Sequence, residues 1–236
     1  MKASDRICVA LDFPARAEVL DAARRFGPRV GWLKVGLEAF VAEGPSLVRE
    51  VAACGARVFL DLKLHDIPHT VERAVAAAAR SGAAMINVHA SGGRAMLEAA
   101  RRALADPGPS RPRLVAVTLL TSLDARSLAD LPMAGHPEGI ARRLALLAQE
   151  CGLDGVVCSA TDLPAVRGAC GAAFLTVVPG IRPAGGEAGD QKRIATPAAA
   201  IAGGADIVVV GRPVTAASDP DETLAAVISE IESEAR

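Results

Sequence analysis

The chain is most informative first for what it is short of. It has no tyrosine, one tryptophan and five phenylalanines in 236 residues, too few aromatic rings to build base-stacking platforms for single-stranded nucleic acid. Lysine and arginine (26) almost balance aspartate and glutamate (27), so no basic footprint for a phosphate backbone exists either, and nucleic-acid binding is not expected. No apolar run reaches the 18 residues a membrane span needs, and the opening Met1-Lys-Ala-Ser-Asp-Arg6 lacks the apolar centre of a signal peptide. A soluble, cytoplasmic protein with no membrane partner is expected. The five cysteines (Cys8, Cys54, Cys151, Cys158, Cys170) are odd in number and show no C-x-x-C spacing. They read as small apolar residues, not as a disulfide framework or a zinc site. No composition break marks a linker, so residues 1–236 are expected to form a single catalytic domain.

What the chain does have is one pattern repeated. Short apolar runs at Ile7–Asp12, Trp32–Val35, Arg57–Lys63, Met85–His89, Leu114–Thr118, Gly155–Cys158, Phe174–Val178 and Ile207–Val210 are each followed by a helical pattern. The helices read near Pro14–Gly27, Pro45–Cys54, Thr70–Arg80, Gly93–Leu104, Pro137–Cys151, Asp162–Ala169, Thr196–Ala202 and from Asp219 to the C-terminus. Thr196-Pro197 and Asp219-Pro220 each put a capping side chain before a proline at the first helical position. Eight strand–helix units predict an α/β fold, a single-domain (β/α)₈ TIM barrel, in preference to a doubly wound sheet.

Strand parity then separates the side chains that face inward. In Arg57-Val-Phe-Leu-Asp61-Leu-Lys63-Leu64, Val58, Leu60, Leu62 and Leu64 form one aliphatic face, while Phe59, Asp61 and Lys63 share the other. A strand buried on both faces leaves Asp61 and Lys63 pointing into an interior, where unpaired ions are costly. The same parity turns Asp12 inward at the end of strand one, Lys34 inward on strand two and His89 inward at the end of strand four. Charges gathered at the C-terminal mouth of a barrel read as catalytic.

A second signal is phosphate. Val210-Gly211-Arg212 ends the last strand and Pro179-Gly180-Ile181-Arg182 follows the seventh, placing two glycines and two guanidinium groups where barrels bind phosphate. The glycine-rich segment from Arg182 to Arg193 lies on the same face and could close over a ligand. His65 and His69 flank Asp66 at a spacing of four, but Pro68 between them argues against a helical metal-ligand pair, and no metal is expected.

The run Asp61-x-Lys63-x-x-Asp66-Ile67-Pro68-x-Thr70 resembles the signature of the orotidine 5′-monophosphate decarboxylases, short bacterial type. Asp12, Lys34-Val-Gly36, Leu120-Thr121-Ser122, Pro179-Gly-Ile-Arg182, Gly189-Asp-Gln191 and Val210-Gly211-Arg212 stand in that family's order, so the resemblance covers nearly the whole chain. His69 departs from it, standing where many bacterial members have asparagine.

The resemblance implies a homodimeric barrel that decarboxylates orotidine 5′-monophosphate to UMP, the last step of de novo pyrimidine biosynthesis, without metal or organic cofactor. Lys63 would stabilise and protonate a C6 carbanion. Asp61 would oppose the substrate carboxylate, and Asp66 would reach the neighbouring subunit's site to complete an alternating chain of Lys34, Asp61, Lys63 and Asp66. Asp12, Lys34 and Thr70, the last from the neighbouring subunit, would lie near the ribose. Thr121, with Ser122, would meet the pyrimidine edge. Gly211, Arg212 and Arg182 would hold the phosphate, and Gln191 would bridge base and phosphate. The alternatives are a Mg²⁺-dependent sugar-phosphate decarboxylase or aldolase of the same barrel group, and a catalytically silent nucleotide-phosphate binding protein.

Overall fold

A computed structural model describes residues 2–105, 111–131, 133–183 and 193–234. Eight parallel strands, β1 (Ile7–Ala10), β2 (Trp32–Val35), β3 (Arg57–Leu64), β4 (Met85–His89), β5 (Arg113–Val117), β6 (Gly155–Val157), β7 (Leu175–Val178) and β8 (Ile207–Val210), pair in sequence order. β8 returns to β1 and closes the barrel. The helices are α1 (Arg16–Phe26), α2 (Leu37–Glu43), α3 (Pro45–Ala52), α4 (Pro68–Ala79), α5 (Gly93–Arg102), α6 (Ala125–Leu128), α7 (Pro137–Glu150), α8 (Leu163–Cys170), α9 (Pro197–Ala202), α10 (Arg212–Thr215) and α11 (Pro220–Glu234).

Parity sorts the core into two packed sets. Cys8, Ala10, Trp32, Phe59, Met85, Val115, Val117, Val157, Leu175, Val177, Ile207 and Val209 fill the barrel interior. Their alternates, such as Val9, Leu33, Val58, Leu60 and Ile86, pack outward against the helices. At the level of the core both faces of the strands are therefore largely apolar, and the inward charged residues gather toward the C-terminal mouth. Gly155 is required on β6, because a Cβ there would lie 2.2 Å from the carbonyl oxygen of Leu175.

Three boundaries differ from the sequence expectation. β1 ends at Ala10, so Asp12 sits in the turn beyond the strand with more than half of its side chain exposed. α4 begins at Pro68, not Thr70, because a proline ring is already set for the first helical position and lacks the N–H that would be orphaned there. α2 precedes α3 after the second strand, and Gly44, at φ +70, separates the two helices. The helix starts at Thr196 and Asp219 are capped as expected. Thr196 accepts from Ala199 N, and Asp219 Oδ1 accepts from Asp221 N and Glu222 N. Among the described residues no helix is long and apolar enough to cross a membrane.

Candidate active site

The C-terminal mouth of the barrel opens into a cavity of about 550 Å³. Its floor is the top of the inward core, with Ala10, Phe59, Val117, Val157 and Val209, and its walls carry Asp12, Lys34, Asp61, Lys63, Thr121, Ser122, Arg182, Gly211 and Arg212. These nine sequence-predicted residues therefore meet at one place although they come from six different strand ends.

The charges form a chain. Lys34 Nζ donates to Asp12 Oδ1 at 2.9 Å and lies 3.5 Å from Asp61 Oδ2; Lys63 Nζ donates to Asp61 Oδ1 at 2.7 Å. Lys34 and Asp61 are both buried. Burial alone would lower the pKa of Lys34, but Asp61 and Asp12 outweigh it and hold the pKa above the ordinary value. Burial alone would raise that of Asp61, but Lys34, Lys63 and a hydrogen bond from Asn87 hold it below the ordinary carboxylate value. Gly36, the residue before α2, leaves room for this pair. A Cβ there would come within 2.8 Å of Asp12 Oδ1 and 3.0 Å of Lys34 Nζ.

Lys63 has φ +51, the one positive φ at a non-glycine among the described residues. The pairing of β3 with β4 is irregular at that point, running from Leu60 opposite Ile86 to Leu64 opposite Val88. The strand bulges where Asp61 and Lys63 turn inward. Backbone strain at a reacting group is a recurrent mark of functional sites.

Opposite these charges lies a corner formed after β7 and β8. Gly180, at φ +77, and Arg182 follow β7, while Gly211 precedes α10 with Arg212 as its first residue. The Arg182 side chain is buried and its Nη1 donates to the Ile181 carbonyl; its backbone N–H pairs with Ala195 O. The second pairing, with the bridge between Ile181 and Ala195, closes the base of the intervening segment. Arg193, at the far end of that segment, is bound by buried Asp162 at 2.7 and 2.8 Å and donates to the Leu120 carbonyl, next to Thr121.

A family model described as Orotidine 5'-phosphate decarboxylase / HUMPS family matches residues 5–227. The chain belongs to this family. Over 226 residues it is 52% identical to an orotidine 5'-phosphate decarboxylase of Nitrosococcus oceani, covering 96% of this chain and 97% of that one. Over 220 residues it is 56% identical to an orotidine 5'-phosphate decarboxylase of Anaeromyxobacter sp., covering 93% and 95%. The crystal structure of orotidine 5'-phosphate decarboxylase from Lactobacillus acidophilus superposes with a TM-score of 0.83 at 35% identity, covering 95% of this chain and 98% of that chain.

Two residues that the family resemblance implied, Asp66 and Thr70, do not line this cavity. Asp66 and Thr70 are exposed, around the start of α4, and Asp66 Oδ1 accepts from Ile67 N at 2.6 Å. Gln191 lies outside the described residues. His89 is half-buried, and its ring centroid lies 5.4 Å from that of His65. Burial, then the neighbouring His65 and Lys63, hold the His89 pKa below its ordinary value. Among the described residues no group of three or more His, Cys, Asp or Glu side chains is arranged to hold a metal ion.

Sequence reasoning passed over Asn87 and Glu38. Asn87 is fully buried on β4 and donates to Asp61 Oδ1 at 2.6 Å while accepting from the Lys63 backbone N–H at 2.8 Å. The signal was available, since the parity that turns His89 inward also turns Asn87 inward one layer below it. Glu38 lines the cavity from α2, the helix that the strand–helix count omits.

Proposed function

We propose that this chain converts orotidine 5′-monophosphate to UMP and CO₂. The observation that carries the reading is the alternating row Asp12, Lys34, Asp61, Lys63 facing a Gly211–Arg212–Arg182 corner across one cavity, in a chain of this family. The 5′-phosphate would sit in that corner, where guanidinium groups and a side-chain-free backbone suit a dianion. Thr121 and Ser122 would meet the pyrimidine edge, Asp12 and Lys34 the ribose, and Gln191 would bridge base and phosphate.

The substrate carboxylate then lies against Asp61 with Lys63 beside C6. The bond from C6 to the carboxylate carbon breaks, CO₂ leaves, and the electron pair stays on C6. Lys63 Nζ, already oriented by Asp61, stabilises that carbanion and transfers a proton to it, giving UMP; solvent then restores the lysine proton. Donors fixed before the charge develops are worth more than donors that must reorganise. Asp61 also opposes the carboxylate more strongly before CO₂ departs than after.

Asp66 and Thr70 would act in a second subunit of a homodimer. Their exposure, and that of the adjacent Ile67 at 67%, supports a surface that another copy covers. A cytoplasmic location fits a metabolic enzyme of this kind. Metal and cofactor take no part in the reaction as proposed.

The test follows loss of orotidine 5′-monophosphate absorbance with purified protein in excess EDTA, for wild type and Lys63→Ala. Conversion to UMP that survives chelation and is lost in the mutant is expected. Failure of folded wild-type protein to turn over this substrate overturns the reading, and activity that needs added Mg²⁺ points to the sugar-phosphate alternative.

A further inference from the structure

We propose that Asn87 is a positioning residue that locks the Lys63 backbone and the Asp61 carboxylate into one preformed unit. Its side chain is fully buried, inward on β4, at a point where the regular β3–β4 ladder fails. Four residue steps on β3, from Leu60 to Leu64, stand opposite two steps on β4, from Ile86 to Val88. The bulge takes the Lys63 N–H out of the regular ladder, and Asn87 Oδ1 accepts it at 2.8 Å. The same bulge leaves Lys63 at φ +51, a conformation that L side chains adopt reluctantly, so an anchor is needed at that residue.

The other half of the amide faces Asp61. Asn87 Nδ2 donates to Asp61 Oδ1 at 2.6 Å, the same oxygen that accepts Lys63 Nζ at 2.7 Å. A backbone N–H can only donate and an ionised carboxylate can only accept, so these two partners leave the amide a single orientation. They also define the residue type. An ionised aspartate could accept but not donate, a lysine could donate but not accept, and a leucine could do neither. Asn87 thus joins the lysine's main chain to the carboxylate that orients its side chain, without adding a charge to the row.

The other ionisable groups around Asp61 are Lys34 from β2, Lys63 on its own strand, Cys8 from β1 and His89 from β4. None of them bonds the Lys63 backbone. The two side-chain hydrogen bonds of Asn87 cross to the neighbouring strand and meet the two residues of β3 that carry the chemistry.

The kinetic consequence rests on the decarboxylase reading, and a second readout does not. In Asn87→Ala, kcat for orotidine 5′-monophosphate is expected to fall about 10- to 100-fold, the worth of a hydrogen bond to a charged group, with KM changed by less than about threefold. The acid limb of the rate profile should move up, because Asp61 loses a donor. Hydrogen exchange at the Lys63 amide should lose its protection. Asn87→Asp keeps an acceptor for that amide and replaces the donor to Asp61 with a carboxyl group. It should keep the Lys63 protection while its acid limb is displaced, and it carries the test if Asn87→Ala does not fold. Wild-type kcat and an unmoved acid limb in both variants, or full Lys63 protection in Asn87→Ala, overturns the proposal. Absence of wild-type turnover would instead remove the decarboxylase reading, and the exchange measurement would still decide the role of Asn87.

Discussion

Lys34→Met separates an electrostatic role for Lys34 from a mere binding one. Lys34 is buried between two anions, 2.9 Å from Asp12 and 3.5 Å from Asp61. Methionine keeps much of the volume and removes the charge. At an effective dielectric constant of about 20, a unit charge at 3.5 Å is worth at most about 5 kcal/mol to the Asp61 anion. Lys63 and Asn87 remain as donors, so only part of that is lost, and the Asp61 pKa should rise from its depressed position. The folded-state pKa of Asp61 is depressed, so its anion persists down to a pH below the ordinary carboxylate value. With Lys34 gone the anion is lost earlier as pH falls, and the acid limb moves up. The assay is kcat/KM for orotidine 5′-monophosphate from about pH 4 to 8, which reports free-enzyme groups, with circular dichroism confirming the fold at each pH. A lowered plateau with an unmoved acid limb would refute the electrostatic link, and would leave Lys34 as a substrate contact alone.

Arg212→Ala should lose about 2 to 4 kcal/mol of transition-state stabilisation, read as a fall in kcat/KM, since it removes a guanidinium from the phosphate corner. Unchanged kcat/KM would sink the phosphate assignment. Lys63→Gly and Lys63→Ala should both be inactive, but by urea unfolding the glycine variant should be about 1 kcal/mol more stable, because only glycine relieves φ +51 without strain. Equal stabilities would mean that the residue relaxes out of that conformation. Arg193→Ala leaves the fully buried Asp162 carboxylate without its guanidinium and should cost about 3 to 5 kcal/mol by the same measurement. A cost below about 1 kcal/mol would show that the pair is solvated in solution.

Much of this architecture was legible in the residues because parallel strands and covering helices write themselves as simple periods. All eight strands fall where the apolar runs place them, to within two residues, and parity alone sends Asp12, Lys34, Asp61 and Lys63 to one mouth. What escaped had weaker physical signals. Asn87 is neutral, so a search for charges passes over it, although the rule that found Lys34 also turns it inward. α2 hides because Leu37–Glu43 is short and its outward face keeps Leu37 and Val41 exposed, blurring the apolar stripe. The bulge at Lys63 has no local marker, since neither glycine nor asparagine occupies the positive-φ position. Asp66 and Thr70 lie exposed around the start of α4, beyond the strand, where parity gives no direction.

The charge pattern of the mouth itself argues for a reaction that expels a carboxylate. Asp12 and Asp61 balance Lys34 and Lys63, so the row is neutral as built, while Arg182 and Arg212 add two positive charges at the same mouth and Glu38 adds one negative. A phosphate carrying about −1.5 to −2 would match those two arginines. A ligand bearing that phosphate and a carboxylate therefore brings more negative charge than the cavity balances. In the proposed reaction, phosphate attraction would hold the carboxylate against Asp61, a contact that the free group would avoid, and binding energy from the remote end would thereby be expressed at the reacting bond. Loss of neutral CO₂ would then remove the excess charge from beside Asp61 and leave the electron pair next to Lys63, whose position is already set by Asp61 and Asn87. A ligand with the phosphate alone gains the same attraction without the opposition, so the site is matched to the product side of the bond it breaks.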